Sequence, residues 1–251
     1  MAFIYDMNLS NISRRLLAAI AVSAACASLT ASAQSPAGPP GNMNTVMARL
    51  LRNFAFTARA EVRILDQSKK ETTAVPMNYA MEDGKTRYEV DLNQFKGSDR
   101  PAAAAAFMKQ KGIDRLIIIN RPDTKINLTI CPSIHAYSET PMGLEDEADA
   151  ARNYKIDKTK LGKETLDGHP CEKTKVTLTD EKGKTQTALV WFATDLKDFP
   201  VQFQISDEDA TTSLRFKDIK LTHLDAKQFE PPAGMSKYEP SQMVKRLTGQ
   251  Q

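Results

Sequence analysis

The chain has 251 residues and a formal net charge of +3. Its lysines and arginines are interspersed with acids, and even the densest basic stretch, Lys155 to Lys163, is broken by Asp157, with Glu164 following. That excludes the clustered basic face a nucleic acid would need.

The N-terminal segment has the order of a secretory signal. Arg14 and Arg15 precede an uncharged run of small and apolar residues, Leu16 to Leu29, which ends at Ala31-Ser32-Ala33. This predicts cleavage near Ala33 and a periplasmic or secreted location. Cys26 offers a rival reading as a lipid-modified N-terminus, with a poorer match to the residues around it. The run is too short and too rich in alanine to span a bilayer, and no later stretch is long enough, so the processed chain is expected to lack a transmembrane segment. A Ser/Pro/Gly-rich lead-in covers 34–42, one domain covers 43–240, and 241–251 form a helical tail.

Met43, Val46, Met47, Leu50, Leu51 and Phe54 recur at helical spacing and predict an amphipathic helix. From Phe56 the period becomes two. Phe56, Ala58, Ala60, Val62 and Ile64 alternate with Thr57, Arg59, Glu61 and Arg63, so one face of a strand is apolar and the other wet. Val75, Met77, Tyr79 and Met81 repeat the pattern. Asp83-Gly84 predicts a hairpin turn, and Tyr88, Val90 and Leu92 return. Pro101 opens an alanine-rich helix that carries Phe107 and Met108 and ends near Gly112. Leu116–Ile119 has the character of a buried strand, and Ile126–Ile130 of the next. Residues 144–152 form an acidic surface helix. Four or five further strands follow, with hairpins at Asp167-Gly168 and Lys182-Gly183, and a helix from Ser241. About ten strands at this spacing, with two to four helices, give a mainly β (α+β) chain built on a large antiparallel sheet.

Once the signal segment is removed, two cysteines remain, Cys131 and Cys171. In an oxidising compartment these are expected to form a disulfide. The alternative is a zinc site made from Cys131, His135, His169 and Cys171. No Gly-x-Ser-x-Gly elbow, His-Glu-x-x-His pair or phosphate-cradling glycine loop occurs. The expected protein is therefore not an enzyme and has no cofactor.

The element order, together with four local motifs, resembles the LolA/LolB-like lipoprotein-localisation-factor superfamily, and specifically a secreted branch of it. The motifs are Arg121-Pro122-Asp123; Leu161 to Thr165 with Asp167-Gly168-His169-Pro170-Cys171; Val190 to Pro200; and Phe229-Glu230-Pro231-Pro232-Ala233-Gly234. The resemblance implies an unclosed barrel whose helices cover the concave side and whose interior accepts a lipid, a lipoprotein or another apolar ligand. Met47, Met77, Tyr79, Met81, Tyr88, Val90, Phe107, Met108 and Trp191 are the candidate lining, since flexible thioethers and aromatic rings adapt to such ligands. Ordinary core packing is the competing reading of each. The alternative function is an envelope protein-interaction or stress-sensing module whose interior is already filled.

Overall fold

The computed structural model describes residues 43–97, 106–107, 109–207 and 210–243. The expected signal segment and lead-in lie outside them. So do most of the 101–111 helix, including Met108, and the tail beyond residue 243. Residues 106, 107, 109 and 110 are helical, as are residues 240–243. No described helix is long and apolar enough to cross a membrane.

The fold is one large unclosed antiparallel sheet, as the resemblance implied. It is built from two meanders. In the first, helix α1 (Met43–Leu51) precedes β1 (Phe56–Asp66), β2 (Glu71–Glu82), β3 (Lys85–Asp91), β4 (Lys96–Gly97), β5 (Arg115–Arg121), β6 (Ile126–Cys131) and β7 (Ala136–Pro141). Helix α2 (Leu144–Ala151) leads to the second: β8 (Tyr154–Leu166), β9 (His169–Asp180), β10 (Thr185–Ala193), β11 (Phe199–Ser206) and β12 (Ala210–Leu221). A two-residue β13 (Ser236–Lys237) closes the chain. The sheet order is β13-β7-β6-β5-β3-β2-β1-β12-β11-β10-β9-β8, with β4 beside β2. The first and last long strands therefore meet in the middle, and β13, the one parallel addition, covers the β7 edge.

Local chemistry explains the turns. Asp83 and Gly84 both take positive φ, 50° and 76°, and so do Asp167 and Gly168, 49° and 87°. Two left-handed central residues match the twist of the flanking strands, and Asp-Gly accepts that conformation cheaply. At the β9–β10 turn the Asp180 carboxylate accepts from the backbone N–H groups of Lys182 and Lys184, both at 2.9 Å.

Pairing fixes the faces. Phe56, Ala60 and Val62 stand opposite Met81, Met77 and Val75 on β2, and opposite Leu221, Phe216 and Leu214 on β12. These residues build the inner, concave face. Helix α1 lies across it against β11 and β10 and buries Met43, Val46, Met47 and Leu51. On β5, Leu116 and Ile118 belong to this core. Ile117 and Ile119 face the other way and join Leu128, Ile130 and Phe229 in a smaller core on the outer face. A strand buried on both faces loses its alternation, which is why 116–119 is a continuous apolar run.

The disulfide expectation is corrected. Cys131 and Cys171 are free, buried thiols. They lie on β6 and β9, which are separated by seven strands in the sheet order. Among the described residues, no group of three or more His, Cys, Asp or Glu side chains is placed to hold a metal ion.

Candidate functional site

The inner face divides into two regions. Over β1, β11 and β12 it is packed solid by aromatic rings. Phe56 stands 4.7 Å from Phe199 and 5.5 Å from Phe216, both edge-on, and stacks with Tyr79 at 5.7 Å. Edge-to-face packing suits the ring quadrupoles and adds about 0.5–1.5 kcal/mol per pair beyond burial. Val90 and Met81 are fully enclosed, Met47 is buried on the sheet-facing side of α1, and all three pack within the main core.

Over β2, β3 and β5 the inner face is buried at Val75, Met81, Val90, Leu116 and Ile118 and half-buried at two positions. Met77 and Tyr88 are only half-buried and pack at the margin of the core, beside the buried Leu116 and Ile118. Tyr79 and Tyr88 are direct cross-strand neighbours. Burial, chiefly, and then the adjacent Tyr88 push the Tyr79 phenol far above its ordinary range, with a hydrogen bond to Thr86 opposing. Burial alone does the same to the Tyr88 phenol. The Asn120 side-chain amide donates to the Thr86 hydroxyl at 2.8 Å. Neutral phenols, a hydroxyl and an amide therefore sit among apolar side chains, a composition that suits an apolar ligand carrying one or two hydrogen-bonding groups. Neither Thr86 nor Asn120 was singled out from the sequence. Each becomes visible only once register places it inward, opposite Met81 and Thr86 respectively.

Two other lining candidates are placed elsewhere. Phe107 is exposed, at 37 %. Trp191 points to the outer face, away from Val190. Its indole N–H donates to the Glu164 carboxylate at 2.6 Å, and the Lys173 ammonium lies 4.8 Å from its ring centroid. The tip of the β8–β9 hairpin folds over this face. Arg215 on β12 donates to Asp167 at 2.8 Å, the His169 ring pairs with Asp195 at 2.8 Å, and the Thr194 hydroxyl donates to the Pro170 carbonyl. Two of the distinctive sequence motifs thus meet here as one clasp, with the Cys171 thiol, raised chiefly by burial, beneath it. The other two motifs meet at the far end. Phe229 plugs the outer core, Lys85 lies over its ring at 5.8 Å, and Pro122 Cγ lies 4.0 Å from where a Cβ on Gly84 would stand.

Between these two outer clusters runs an open groove of about 680 Å³, whose walls include Arg59, Asn78, Arg87, Glu89 and Lys220. It lies where the β1–β12 register shifts between Thr57 and Arg59, with Asp218 at a φ of 51°. The groove is open and of mixed polar and apolar lining, and its charges are paired: Arg87 with Glu89, and Arg59 with Asp218.

The sequence matches the family described as Domain of unknown function (DUF4412) over residues 62–215. No curated protein matches it. Among solved structures, the chain is similar to a LolA superfamily protein from Nitrosomonas europaea, at 13% identity over 76% of this chain and 97% of that one, with a TM-score of 0.33. It is also similar to the lipoprotein LppX of Mycobacterium tuberculosis, at 10% identity over 73% and 95%, with a TM-score of 0.37. A third is LprF of Mycobacterium bovis, at 10% identity over 79% and 100%, with a TM-score of 0.39.

Proposed function

The chain belongs to the DUF4412 family, and from the geometry of its own inner face we propose that it is a non-enzymatic binding protein of the periplasm or cell exterior. It holds an apolar or amphiphilic ligand, a lipid or the acyl part of a lipoprotein, against β2, β3 and β5. One observation carries this reading. Met77 and Tyr88 are inner-face residues left half-buried on neighbouring strands, beside the buried Tyr79 and the half-buried Thr86 and Asn120 hydrogen-bonding groups. Half-buried apolar side chains beside neutral hydrogen-bonding groups are the composition that an amphiphilic ligand would meet. The signal-like segment supports the location.

The test is extraction and mass spectrometry of the protein purified from an exported, detergent-free preparation. A stoichiometric lipid or fatty acid is expected in the unaltered protein. Met77→Arg, which sets a charge on the lining, should lose it while keeping a cooperative melt. An unaltered protein that carries no lipid and takes up no fluorescent fatty acid sinks the proposal. The second reading, an interaction module with a filled interior, would then stand. The solid aromatic packing of Phe56, Phe199 and Phe216 favours it over that half of the face.

A further inference from the structure

The two edges of the sheet are treated differently. At one end the short β7 is covered by the chain's own C-terminal segment, through β13, and Lys237 pairs with Glu139 across that seam. At the other end β8 is 13 residues long and, among the described residues, hydrogen-bonded only to β9. Every residue from Lys155 to Thr165 is exposed. Two of its side chains are large and apolar: Ile156 at 40 % and Leu161 at 51 % exposure. A long strand edge with unmet N–H and C=O groups is a template for another strand.

The side chains select what that strand can be. Register with β9 places Ile156, Lys158 and Lys160 on the inner face, opposite Leu178, Val176 and Thr174. A shift between Lys160 and Gly162 returns Lys163 to the same face, opposite Glu172. One apolar residue is thus followed along a single face by three lysines. Lys158 rests over the Phe192 ring at 4.5 Å, and Lys160 reaches Glu172 at 2.7 Å, so both ammonium groups are held close to the edge. Across an antiparallel ladder, like charges directly opposite destabilise and opposite charges stabilise. A second copy of β8 centred on Thr159 would set Lys158 against Lys160 of the copy, so self-pairing is disfavoured. An extended segment with acids at every second residue is complementary.

We propose that β8 is a docking edge for an acidic, extended segment of a partner protein, which adds to the sheet as a further antiparallel strand. Its backbone completes the ladder along β8, its carboxylates face Lys158, Lys160 and Lys163, and an apolar residue meets Ile156. The site lies outside the inner lining, so docking and lipid uptake are separable.

The test uses the full chain and two synthetic probes, a short peptide of alternating Glu and Val and its Lys/Val counterpart. Binding is followed by fluorescence anisotropy, and the edge by hydrogen exchange. The Glu/Val peptide should bind, with affinity falling as salt rises, while the Lys/Val peptide does not. Amides within 155–163 should gain protection. The double variant Lys158→Glu/Lys160→Glu, both at exposed positions, should weaken the acidic peptide by at least about tenfold and admit the basic one. Equal binding of the two peptides, binding that leaves β8 exchange unchanged, or no binding overturns the proposal. So does dimerisation through β8 in the absence of peptide. None of these outcomes depends on whether lipid is found.

Discussion

The outer-face clasp makes a quantitative claim at Trp191. The side chain is only 4 % exposed, and its indole N–H has the Glu164 carboxylate at 2.6 Å. A hydrogen bond to a charged group contributes about 1.5–3 kcal/mol, but the Glu164 side chain is 43 % exposed, so water competes and about 1 kcal/mol is expected here. Glu164→Ala should therefore cost about 1 kcal/mol. Trp191→Phe should cost about 2 kcal/mol, since it also leaves unfilled space and removes the stronger cation–π partner of Lys173. The double variant should cost less than the two together, because the second change no longer breaks a bond, giving a coupling of about 1 kcal/mol. The assay is urea unfolding followed by far-ultraviolet circular dichroism, because Trp191 is the only tryptophan and its emission vanishes in half the cycle. Strict additivity, a coupling below about 0.3 kcal/mol, would show that the contact does not hold the hairpin tip down.

Phe56→Ala empties the centre of the aromatic cluster and should lower stability by about 4 kcal/mol, read as a fall in the urea midpoint with unchanged slope. Burial pushes the Cys131 thiol up to about 12, so at pH 8 it should react with a thiol reagent only at the rate of unfolding. In a chain starting after Ala33, which lacks Cys26, adding denaturant should expose two reactive thiols, Cys131 and Cys171, without any reductant; a need for reductant would restore the disulfide. The hydrogen bond from His223, then that from the Leu224 backbone, hold the Glu82 carboxyl below its ordinary value of 4.5. A lowered acid stabilises the fold above that ordinary value, and the contribution fades as pH falls through the folded one. Glu82→Gln should therefore flatten the stability profile below pH 4.5, measured by thermal melts across pH, and a parallel profile would refute the linkage.

Much of this architecture could be read from residue order because its signals are local. The period-two run Phe56–Ile64 places each side chain on the correct face, and Asp83-Gly84 and Asp167-Gly168 mark turns whose backbone angles require such residues. What escaped depends on strand order, which no local pattern encodes. Val190-Trp191-Phe192-Ala193 is buried throughout, because the folded-over β8–β9 tip covers the outer side while the core covers the inner. With no wet residue to break the run, the direction of Trp191 is invisible from sequence. The cysteine pairing failed for the same reason: two residues at strand ends look joinable until the sheet places seven strands between them. Thr86 and Asn120 are ordinary polar residues until register turns them inward.

The central seam has a consequence for how the chain acquires its shape. Neighbouring strands within each meander are joined by short connections, except across the 98–112 segment, so their closure is entropically cheap. The β1–β12 ladder instead unites Phe56 with Leu221 and Asp66 with Ala210, partners drawn from opposite ends of the domain. A ribosome or translocon delivering the chain from its N-terminus releases β1 with one of its two neighbours not yet made. The first meander must wait with an apolar flank open until the last long strand arrives. That junction is where loop closure is slowest and where a chaperone has most to protect.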